Sequence, residues 1–192
     1  MTEPEPIPVP TSEVSADVVE RARQRDAAAF ESIVVHYDPS LRAFVYRMLG
    51  DQRRTEDALQ ETYLRAYRKL PAFRPRGSLK AWLFRIAYNC AVDELRRDTR
   101  NRTHDVDAQE PRADRTSVEE VATIRSDVQA ALRSLSQEQA GAVLLVDGHG
   151  FDYEAAAEIL GVSRGTIASR LHHARAVIRS VLTQETSERQ VR

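Results

Sequence analysis

The sequence is poor in the residues that most often carry chemistry or fix small folds. It has a single cysteine, Cys90, so it forms no intramolecular disulfide and offers no second thiolate to a metal cluster. Aromatic residues make up only 6% of the chain, and 28 Lys and Arg against 29 Asp and Glu leave a net charge of −1. A protein that coats itself with nucleic acid is usually strongly basic. This chain is therefore not of that class.

Long apolar runs and leader-like segments are also missing. No stretch approaches the roughly 20 apolar residues of a membrane-spanning helix. The start of the chain carries prolines where a signal peptide has its apolar segment. We therefore expect a cytoplasmic protein without membrane insertion. Because no Walker loop, GxGxxG motif or Ser/His/Asp arrangement is found in the sequence, we expect neither an enzyme nor a cofactor.

Composition divides the chain into five segments. Residues 1–15 hold four of the eight prolines and predict a disordered tail. Residues 16–98 show helical periodicity, and residues 99–120 have almost no large apolar side chain and an acidic excess, which predicts a flexible linker. A second helical domain follows at 121–184, and 185–192 form a tail. Because no segment alternates as a strand does, we predict an all-α fold of two small domains.

In the first domain the pattern predicts a helix that ends at Asp38-Pro39, a second one from Leu41 to Leu49, and two longer helices joined by a basic loop. Gly50 is the expected cap of the second helix. Helical spacing gives the two longer helices the following core residues: Leu59, Tyr63, Ala66 and Leu70, then Leu79, Leu83, Ile86 and Cys90. Trp82 fits either the core or a stack on an opened base pair, and the core is favoured.

Each of the two longer helices has a second, polar face. The face on the first helix is acidic with one leucine and consists of Asp57, Gln60, Glu61 and Leu64. The face on the second is mainly basic and consists of Arg85, Asn89, Asp93, Arg96 and Arg97. Such charges are most often simply solvated. A di-iron site in a helix bundle requires Glu-x-x-His pairs, and none of the five histidines has a glutamate three residues before it, so we reject a metal site.

The second domain has the local signals of a helix-turn-helix. Ser136 and Gln139 form a capping box, and Asp152 and Ser163 are expected N-caps of the two helices that follow. A short helix, a glycine turn and a longer basic helix predict binding of duplex DNA in the major groove. Five residues of the last helix lie off its apolar stripe and are candidates for DNA contact: Arg164, Thr166, Ser169, Arg170 and His173. The neighbouring His172 is predicted to be structural.

On these residues alone, two classes of protein stay open. A stand-alone transcription factor would pair the helix-turn-helix with a helical sensor or dimerisation domain and would bind a palindrome as a dimer. A sequestering protein would bind a transcription component without touching DNA. The near-neutral charge argues mildly against the first class, and the basic last helix argues against the second.

Three motifs in one order carry a family resemblance: TEDALQETYLRAY, AWLFRIAYNCAVDELRR and GVSRGTIASRLHHAR. Together they resemble the bacterial RNA polymerase sigma factors of the extracytoplasmic-function (ECF) type, over roughly residues 26–182. The resemblance implies an alternative sigma factor that binds the polymerase core and directs promoter recognition, melting and initiation. It also implies an anti-sigma factor as a partner.

The resemblance implies a role for each polar face. The acidic face, Asp57, Gln60, Glu61 and Leu64, would dock on the coiled coil of the polymerase β′ subunit, with the β subunit as a further contact. The second helix and the loop before it would bind the −10 element through Phe73, Arg74, Arg76, Ser78, Arg85, Asn89, Asp93, Arg96 and Arg97. The helix-turn-helix would read the −35 element as duplex through Arg164, Thr166, Ser169, Arg170 and His173.

Overall fold

The computed structural model describes residues 14–74, 78–102 and 129–190, and every regular element within these ranges is helical. The N-terminal domain consists of α1 (Ala16–Arg23), α2 (Ala27–Leu49), α3 (Gln52–Lys69), a 3-10 turn (Leu70–Ala72) and α4 (Leu79–Arg102). The C-terminal domain consists of α5 (129–133), α6 (Gln137–Val143), a π turn (Leu144–Gly148), α7 (Tyr153–Leu160) and α8 (Arg164–Gln190). The all-α prediction is confirmed. The proline-rich segment and the acidic segment between the domains fall largely outside the described residues.

Side-chain caps begin the helices, as the sequence predicts for the C-terminal domain. Ser136 and Gln139 form the reciprocal capping box at the start of α6. The carboxylate of Asp152 accepts a hydrogen bond from the Ala155 N–H at 2.7 Å and begins α7. Because Gly161 ends α7 at φ +67°, where an L side chain would be strained, the chain can turn sharply into α8. Local capping groups therefore set where α7 begins and ends.

The prediction that a helix ends at Pro39 is wrong, because α2 continues through it to Leu49 and ends at Gly50. Proline lacks the N–H that would bond the carbonyl of Val35, one turn earlier. Both residues lie on the exposed side of the helix, so water can solvate that carbonyl. The carboxylate of Asp38, the residue before Pro39, accepts hydrogen bonds from the Arg42 guanidinium one turn later and from the Tyr63 hydroxyl of α3. These bonds connect the parts of α2 on either side of Pro39.

The core of the N-terminal domain lies where α2, α3 and α4 meet. Both predicted apolar stripes point into it, since Leu59, Leu70 and Leu83 are each no more than 2% exposed. Phe44 and Phe84 are fully buried, with their ring centroids 5.2 Å apart. Within the described ranges, no helix combines the length and the apolar content needed to cross a membrane.

The two domains pack against each other. We call this contact the interdomain interface: α4 lies against α7, and α2 lies against α6 and the π turn. The imidazole of His149, which follows the π turn, packs against the rings of both Phe44 and Phe84, with centroid distances of 5.8 and 4.9 Å. The ring of Phe151 then packs edge-on against Phe84 at 5.1 Å. One apolar cluster therefore continues from one domain into the other.

Candidate functional site

The outward surface of α3 combines acidic groups with one apolar side chain; we call Asp57, Gln60, Glu61 and Leu64 the α3 face. Asp57 and Gln60 are exposed, and Leu64 is 49% exposed. Glu61 is half-buried and forms an ion pair with Arg65 at 2.6 Å. The opposite side of α3 is buried, which holds this face rigidly toward solvent. An exposed leucine among carboxylates is suited to a partner that is both basic and partly apolar.

The mainly basic surface of α4 lies next to the α3 face; we call Arg85, Asn89, Asp93, Arg96 and Arg97 the α4 face. Arg85, Asn89, Arg96 and Arg97 are exposed. Asp93 bonds the Arg65 guanidinium of α3 at 3.1 Å, and Arg97 bonds the Glu94 carboxylate at 3.0 Å. Arg65 therefore bridges the two faces, because it holds Glu61 of one and Asp93 of the other.

The loop before α4 contributes fewer accessible groups than the sequence suggests. Phe73 is only 7% exposed and packs against Trp82 with ring centroids 5.0 Å apart. Its assignment as a DNA contact stays a prediction, and it requires the ring to leave this packing. Arg74 is exposed, whereas Arg76 lies outside the described residues. The Ser78 hydroxyl accepts a hydrogen bond from the Ala81 N–H at 3.0 Å and begins α4.

Trp82, for which the core was the favoured position, is partly buried and packs against the apolar cluster of the N-terminal domain. The position is set by Phe73, which covers one side of the indole. This supports the core position over a free stacking surface. Trp82 lies in the first turn of α4, the helix that carries the α4 face.

The first turns of α8 present the candidate −35 contacts; we call Arg164, Thr166, Ser169, Arg170 and His173 the α8 face. Arg164, Ser169 and His173 are exposed, and Arg170 is half-buried. Thr166 is less free, because its hydroxyl lies 2.8 Å from that of Ser163, the residue that caps the helix. The opposite stripe is buried, with Ile167 and Ala174 at 0% exposure. The helix therefore shows one surface to its own domain and another to solvent.

The prediction that His172 is structural is wrong. His172 is exposed, and its ring meets that of His173 edge-on at 5.5 Å. A helix turns by about 100° per residue, so the residue after Leu171 already points away from the apolar stripe.

Sequence reasoning missed the interdomain interface. The sequence does contain a signal for this interface. A second apolar stripe on α4 is formed at helical spacing by Phe84, Ala87, Tyr88 and Ala91, and all four are buried. His149 is 1% exposed, and neither ring nitrogen has a hydrogen-bond partner among the described residues. Burial, with smaller effects from the charges of Arg47 and Lys80, lowers the pKa of His149 to about 4.

Lys80 holds the backbone of this segment from the α4 side. Its ammonium donates a hydrogen bond to the His149 carbonyl at 3.2 Å and lies 4.6 Å from the centre of the Phe151 ring. A cation at that distance over an aromatic ring is attracted to it. A second hydrogen bond crosses the interface, from the Gln129 amide to the Arg47 carbonyl at 3.3 Å, so the interface combines apolar packing with polar contacts.

Comparison with protein families places both domains. The sigma-70 region 2 family matches residues 33–101, and the sigma-70 region 4 family matches residues 125–178. The α3 and α4 faces lie within the first range and the α8 face within the second. The two matches follow each other along the chain in that order.

Whole-chain relatives are similar in both sequence and structure. The ECF RNA polymerase sigma factor EcfG of Rhodopseudomonas palustris is 36% identical over 151 residues, which is 78% of this chain and 83% of that one. The ECF sigma factor SigE of Mycolicibacterium smegmatis is 32% identical over 188 residues, 93% of this chain and 72% of that one. The sigma factor RpoE of Bartonella quintana, solved with the anti-sigma factor NepR, superposes with a TM-score of 0.66 at 31% identity and covers 80% of this chain and 96% of its own.

Proposed function

Because the chain belongs to the extracytoplasmic-function family of RNA polymerase sigma factors, we propose which of its surfaces carries each step of promoter recognition. Members of this family bind the polymerase core and recognise the −10 and −35 promoter elements, with regions 2 and 4 involved in that recognition. They act as transcription initiation factors. For this chain we assign core binding to the α3 face, the −10 element to the α4 face and the −35 element to the α8 face.

Docking of the α3 face on the β′ coiled coil is the assignment with the strongest support. The observation that carries it is Leu64, a leucine that is half-exposed in a row of acidic and amide groups. An apolar anchor surrounded by charges is typical of a residue that is buried only when a partner binds. The carboxylates around it would orient a basic partner helix and speed its approach.

A charge reversal at Asp57 tests this docking. Asp57→Arg places a cation against a basic partner, and we expect the affinity for core polymerase to fall more than tenfold, which corresponds to about 1.4 kcal/mol. Circular dichroism should show an unchanged fold, because Asp57 is exposed. Glu31→Arg is the matched control, since Glu31 is an exposed carboxylate on α2 outside the α3 face. Equal core affinity in both variants would remove the assignment.

We assign capture of the −10 element to the α4 face. Exposed arginines can pair with phosphates, and the amide of Asn89 can bond the edge of a base that has left the duplex. Melting would be driven by capture of unpaired bases rather than by nucleotide hydrolysis. Arg74 and Ser78 would line the entry to this surface, and we also keep Arg76 in the assignment from the sequence.

Asn89→Ala tests base capture. We expect less open complex, read as lower permanganate reactivity of thymines near −10, at unchanged core affinity. Arg68→Ala on α3 is the control, because Arg68 is exposed and belongs to no assigned face. A normal permanganate pattern with Asn89→Ala would count against the α4 face.

We assign duplex recognition at −35 to the α8 face. The N-terminal turns of the second helix in a helix-turn-helix lie in the major groove, and here those turns carry Arg164, Ser169 and Arg170. Arg170→Ala should weaken transcription that depends on the −35 element by about 1–3 kcal/mol while core affinity stays unchanged. A loss of core binding would contradict the assignment of core binding to the α3 face and of −35 recognition to the α8 face.

One transcription experiment tests the proposal as a whole. Purified core polymerase with this protein should produce discrete run-off transcripts from genomic DNA of the source organism, and core alone should not. A specific shift of duplex DNA by the protein alone, without transcripts, would favour a stand-alone regulator. Since RpoE of Bartonella quintana is bound by NepR, we also propose that an anti-sigma factor binds this chain, and that both act in the cytoplasm with the polymerase.

A further inference from the structure

The α4 face, which is otherwise basic or neutral, contains one carboxylate, that of the partly exposed Asp93. DNA carries a negative charge at every phosphate, so an unpaired carboxylate on a surface that binds a strand would repel it. Asp93 is paired, because Nη1 of Arg65 on α3 donates a hydrogen bond to its Oδ2 at 3.1 Å. From the residues that the structure describes, its other oxygen, Oδ1, accepts no hydrogen bond. The pair therefore neutralises the charge of Asp93 and leaves one acceptor open to a ligand.

The guanidinium of Arg65 is fixed from its other side as well. Its Nε donates a hydrogen bond to Oε1 of Glu61, one turn earlier on α3, at 2.6 Å. This bond is the main cause that raises the pKa of Arg65; burial opposes it, and the bond to Asp93 adds to it. A guanidinium is planar and presents its donors as a rigid fork. Once Glu61 holds Nε, the direction of Nη1 is set, and with it the orientation of the Asp93 carboxylate.

The Arg65–Asp93 pair is not needed to hold α3 against α4, because a second, more buried pair joins the same two helices. Nη2 of Arg54 donates a hydrogen bond to the Glu94 carbonyl at 3.1 Å, and the side chains of the two residues are only 16% and 17% exposed. Those of Arg65 and Asp93 are 29% and 40% exposed. Exposed ion pairs contribute little to stability. The position of the Arg65–Asp93 pair at the surface is better suited to contact with a ligand than to stabilising the fold.

The open oxygen of Asp93 can distinguish the bases of a captured strand. A carboxylate only accepts hydrogen bonds, so it selects a base that donates one. Cytosine and adenine carry exocyclic amines, N4 and N6, where thymine and guanine carry the carbonyl oxygens O4 and O6. A carbonyl oxygen opposite Oδ1 would place two acceptors against each other. One oxygen held in a fixed direction therefore favours cytosine or adenine.

We propose that Arg65 sets the base specificity of the α4 face: it neutralises Asp93 and orients its carboxylate so that Oδ1 accepts a hydrogen bond from the exocyclic amine of a captured cytosine or adenine. Arg65 is a positioning residue, since it acts through Asp93 and does not touch the base. The inference rests on the proposed role of the α4 face in binding the −10 element. It implies that loss of Arg65 relaxes base selection at one −10 position instead of weakening all positions equally.

Competition between promoters measures base selection. The probe is a promoter identified by run-off transcription, with each of the four bases placed in turn at every −10 position. Each altered promoter competes with the original in one mixture that contains core polymerase and the full-length chain. Both promoters draw on the same holoenzyme, so the ratio of the two transcripts does not depend on core affinity. This matters because an Arg65 variant also releases Glu61, which belongs to the α3 face.

The parent chain should prefer cytosine or adenine over thymine and guanine by roughly tenfold at one −10 position, the usual cost of one mismatched base. Asp93→Ala should abolish this preference. Arg65→Ala should reduce it to less than about threefold, and the double variant should lose no more than Asp93→Ala alone, because both changes remove the same contact. Arg68→Ala is the matched control, since it removes an exposed arginine of α3 that belongs to no assigned face, and it should keep the full preference.

Arg65→Lys separates positioning from charge. Lysine keeps the cation but lacks the fork that reaches two carboxylates in fixed directions. Transcription from the original promoter at saturating protein should therefore stay near that of the parent, while the preference at the one position falls. A full preference in Arg65→Lys would show that charge alone is required and would overturn the positioning role. Circular dichroism checks that each variant is folded.

The remaining outcomes separate failure of this inference from failure of the proposed function. If Asp93→Ala leaves selection unchanged at every −10 position, the assignment of Asp93 to the −10 element fails, and the role of Arg65 fails with it. If Asp93→Ala removes the preference but Arg65→Ala keeps it, the −10 assignment stands and the positioning role is wrong. An equal loss for all four bases in Arg65→Ala, or a preference for guanine or thymine that depends on Asp93, would also overturn the inference.

Discussion

The two domains of this chain are stabilised in different ways. The N-terminal core is built from large side chains, and Ile33, Leu41, Phe44 and Phe84 are all at or below 1% exposure. The C-terminal core buries as many alanines among the described residues but fewer large side chains, of which Leu145, Ile167 and Leu171 are at or below 1% exposure. Side-chain caps begin helices in both domains, at Ser15, Asp26 and Asp51 in the first and at Ser136, Asp152 and Ser163 in the second. The difference therefore lies in the size of the buried side chains, since the first core contains more large ones than the second.

The smaller core of the C-terminal domain is completed by the larger one. His149 and Phe151 contribute rings that pack on Phe44 and Phe84 across the interdomain interface. Apolar area buried in this way contributes about 25 cal/mol per Å². Loss of this contact should therefore expose a larger fraction of the apolar area that the C-terminal domain buries, because its own core contains fewer large side chains.

The largest expected effect comes from a large residue shared by both domains. Phe84→Ala should lower the free energy of unfolding by about 3–5 kcal/mol, because it leaves a cavity in the N-terminal core and removes the surface on which His149 sits. Urea denaturation followed by circular dichroism measures this. Val35→Ala is the control, since Val35 is 69% exposed and should cost no more than about 0.5 kcal/mol. Similar costs for the two would contradict the account of the core.

The next effect is a dependence of stability on pH that comes from the interface. The pKa of His149 falls from its ordinary 6.5 to about 4, mainly through burial and then through the charges of Arg47 and Lys80. Between these values the unfolded chain binds a proton that the folded chain does not. The free energy of unfolding that comes from burying a neutral His149 is therefore complete above pH 6.5. It decreases as the pH falls, by on the order of 3 kcal/mol at pH 4.

His149→Leu isolates this contribution, because leucine fills similar space and does not titrate. Urea denaturation of both proteins between pH 7.5 and roughly pH 4 should give curves that diverge as the pH falls. Parallel curves would show that His149 is accessible to protons in the folded state, and would weaken the case that the domains are in contact in solution.

A smaller effect is expected at the caps of the C-terminal domain. Asp152→Ala removes the acceptor for the Ala155 N–H and should cost about 1 kcal/mol of stability. Glu158→Ala, in the same helix but away from its start, is the control and should be near neutral. A cost at Asp152 no larger than at Glu158 would show that α7 is held by packing alone.

The smallest effect is expected for the ion pair that joins α8 to the π turn. Arg175 bonds Asp147 through two nitrogens, at 3.0 and 2.6 Å, but both side chains are about 40% exposed. Such pairs contribute less than about 1 kcal/mol. Arg175→Ala should therefore shift the urea midpoint slightly in low salt, and the shift should disappear near 1 M salt because the charges are screened. A shift that persists in high salt would indicate lost packing instead.

The features that the sequence predicted well are local ones. The capping box at Ser136, the cap at Asp152 and the glycine after α7 each involve residues within one turn of each other, and all are confirmed. Tertiary contacts decided the rest. Pro39 stays inside α2, where the neighbouring Asp38 accepts a hydrogen bond from the Tyr63 hydroxyl of another helix, and no local pattern contains that bond.

The candidate faces were predictable as surfaces, because a stripe that is not needed for the core points to solvent. What the sequence could not show is which of those residues are already engaged. Asp93 is held by Arg65, and the Thr166 hydroxyl by Ser163. Phe73 is covered by Trp82. The packing of one domain on the other involves Phe84 and His149, which are far apart in sequence and meet only in the folded chain.

The packing of Trp82 on Phe73 gives the protein an optical reporter of its own. Trp82 is the only tryptophan of the 192 residues, so all indole emission comes from one position, in the first turn of α4. Any event that moves Phe73 away from the indole changes the polarity around it and shifts the emission wavelength. If a DNA strand binds beside Phe73, as the proposed −10 assignment requires, its arrival can be timed by stopped-flow fluorescence on the unlabelled chain.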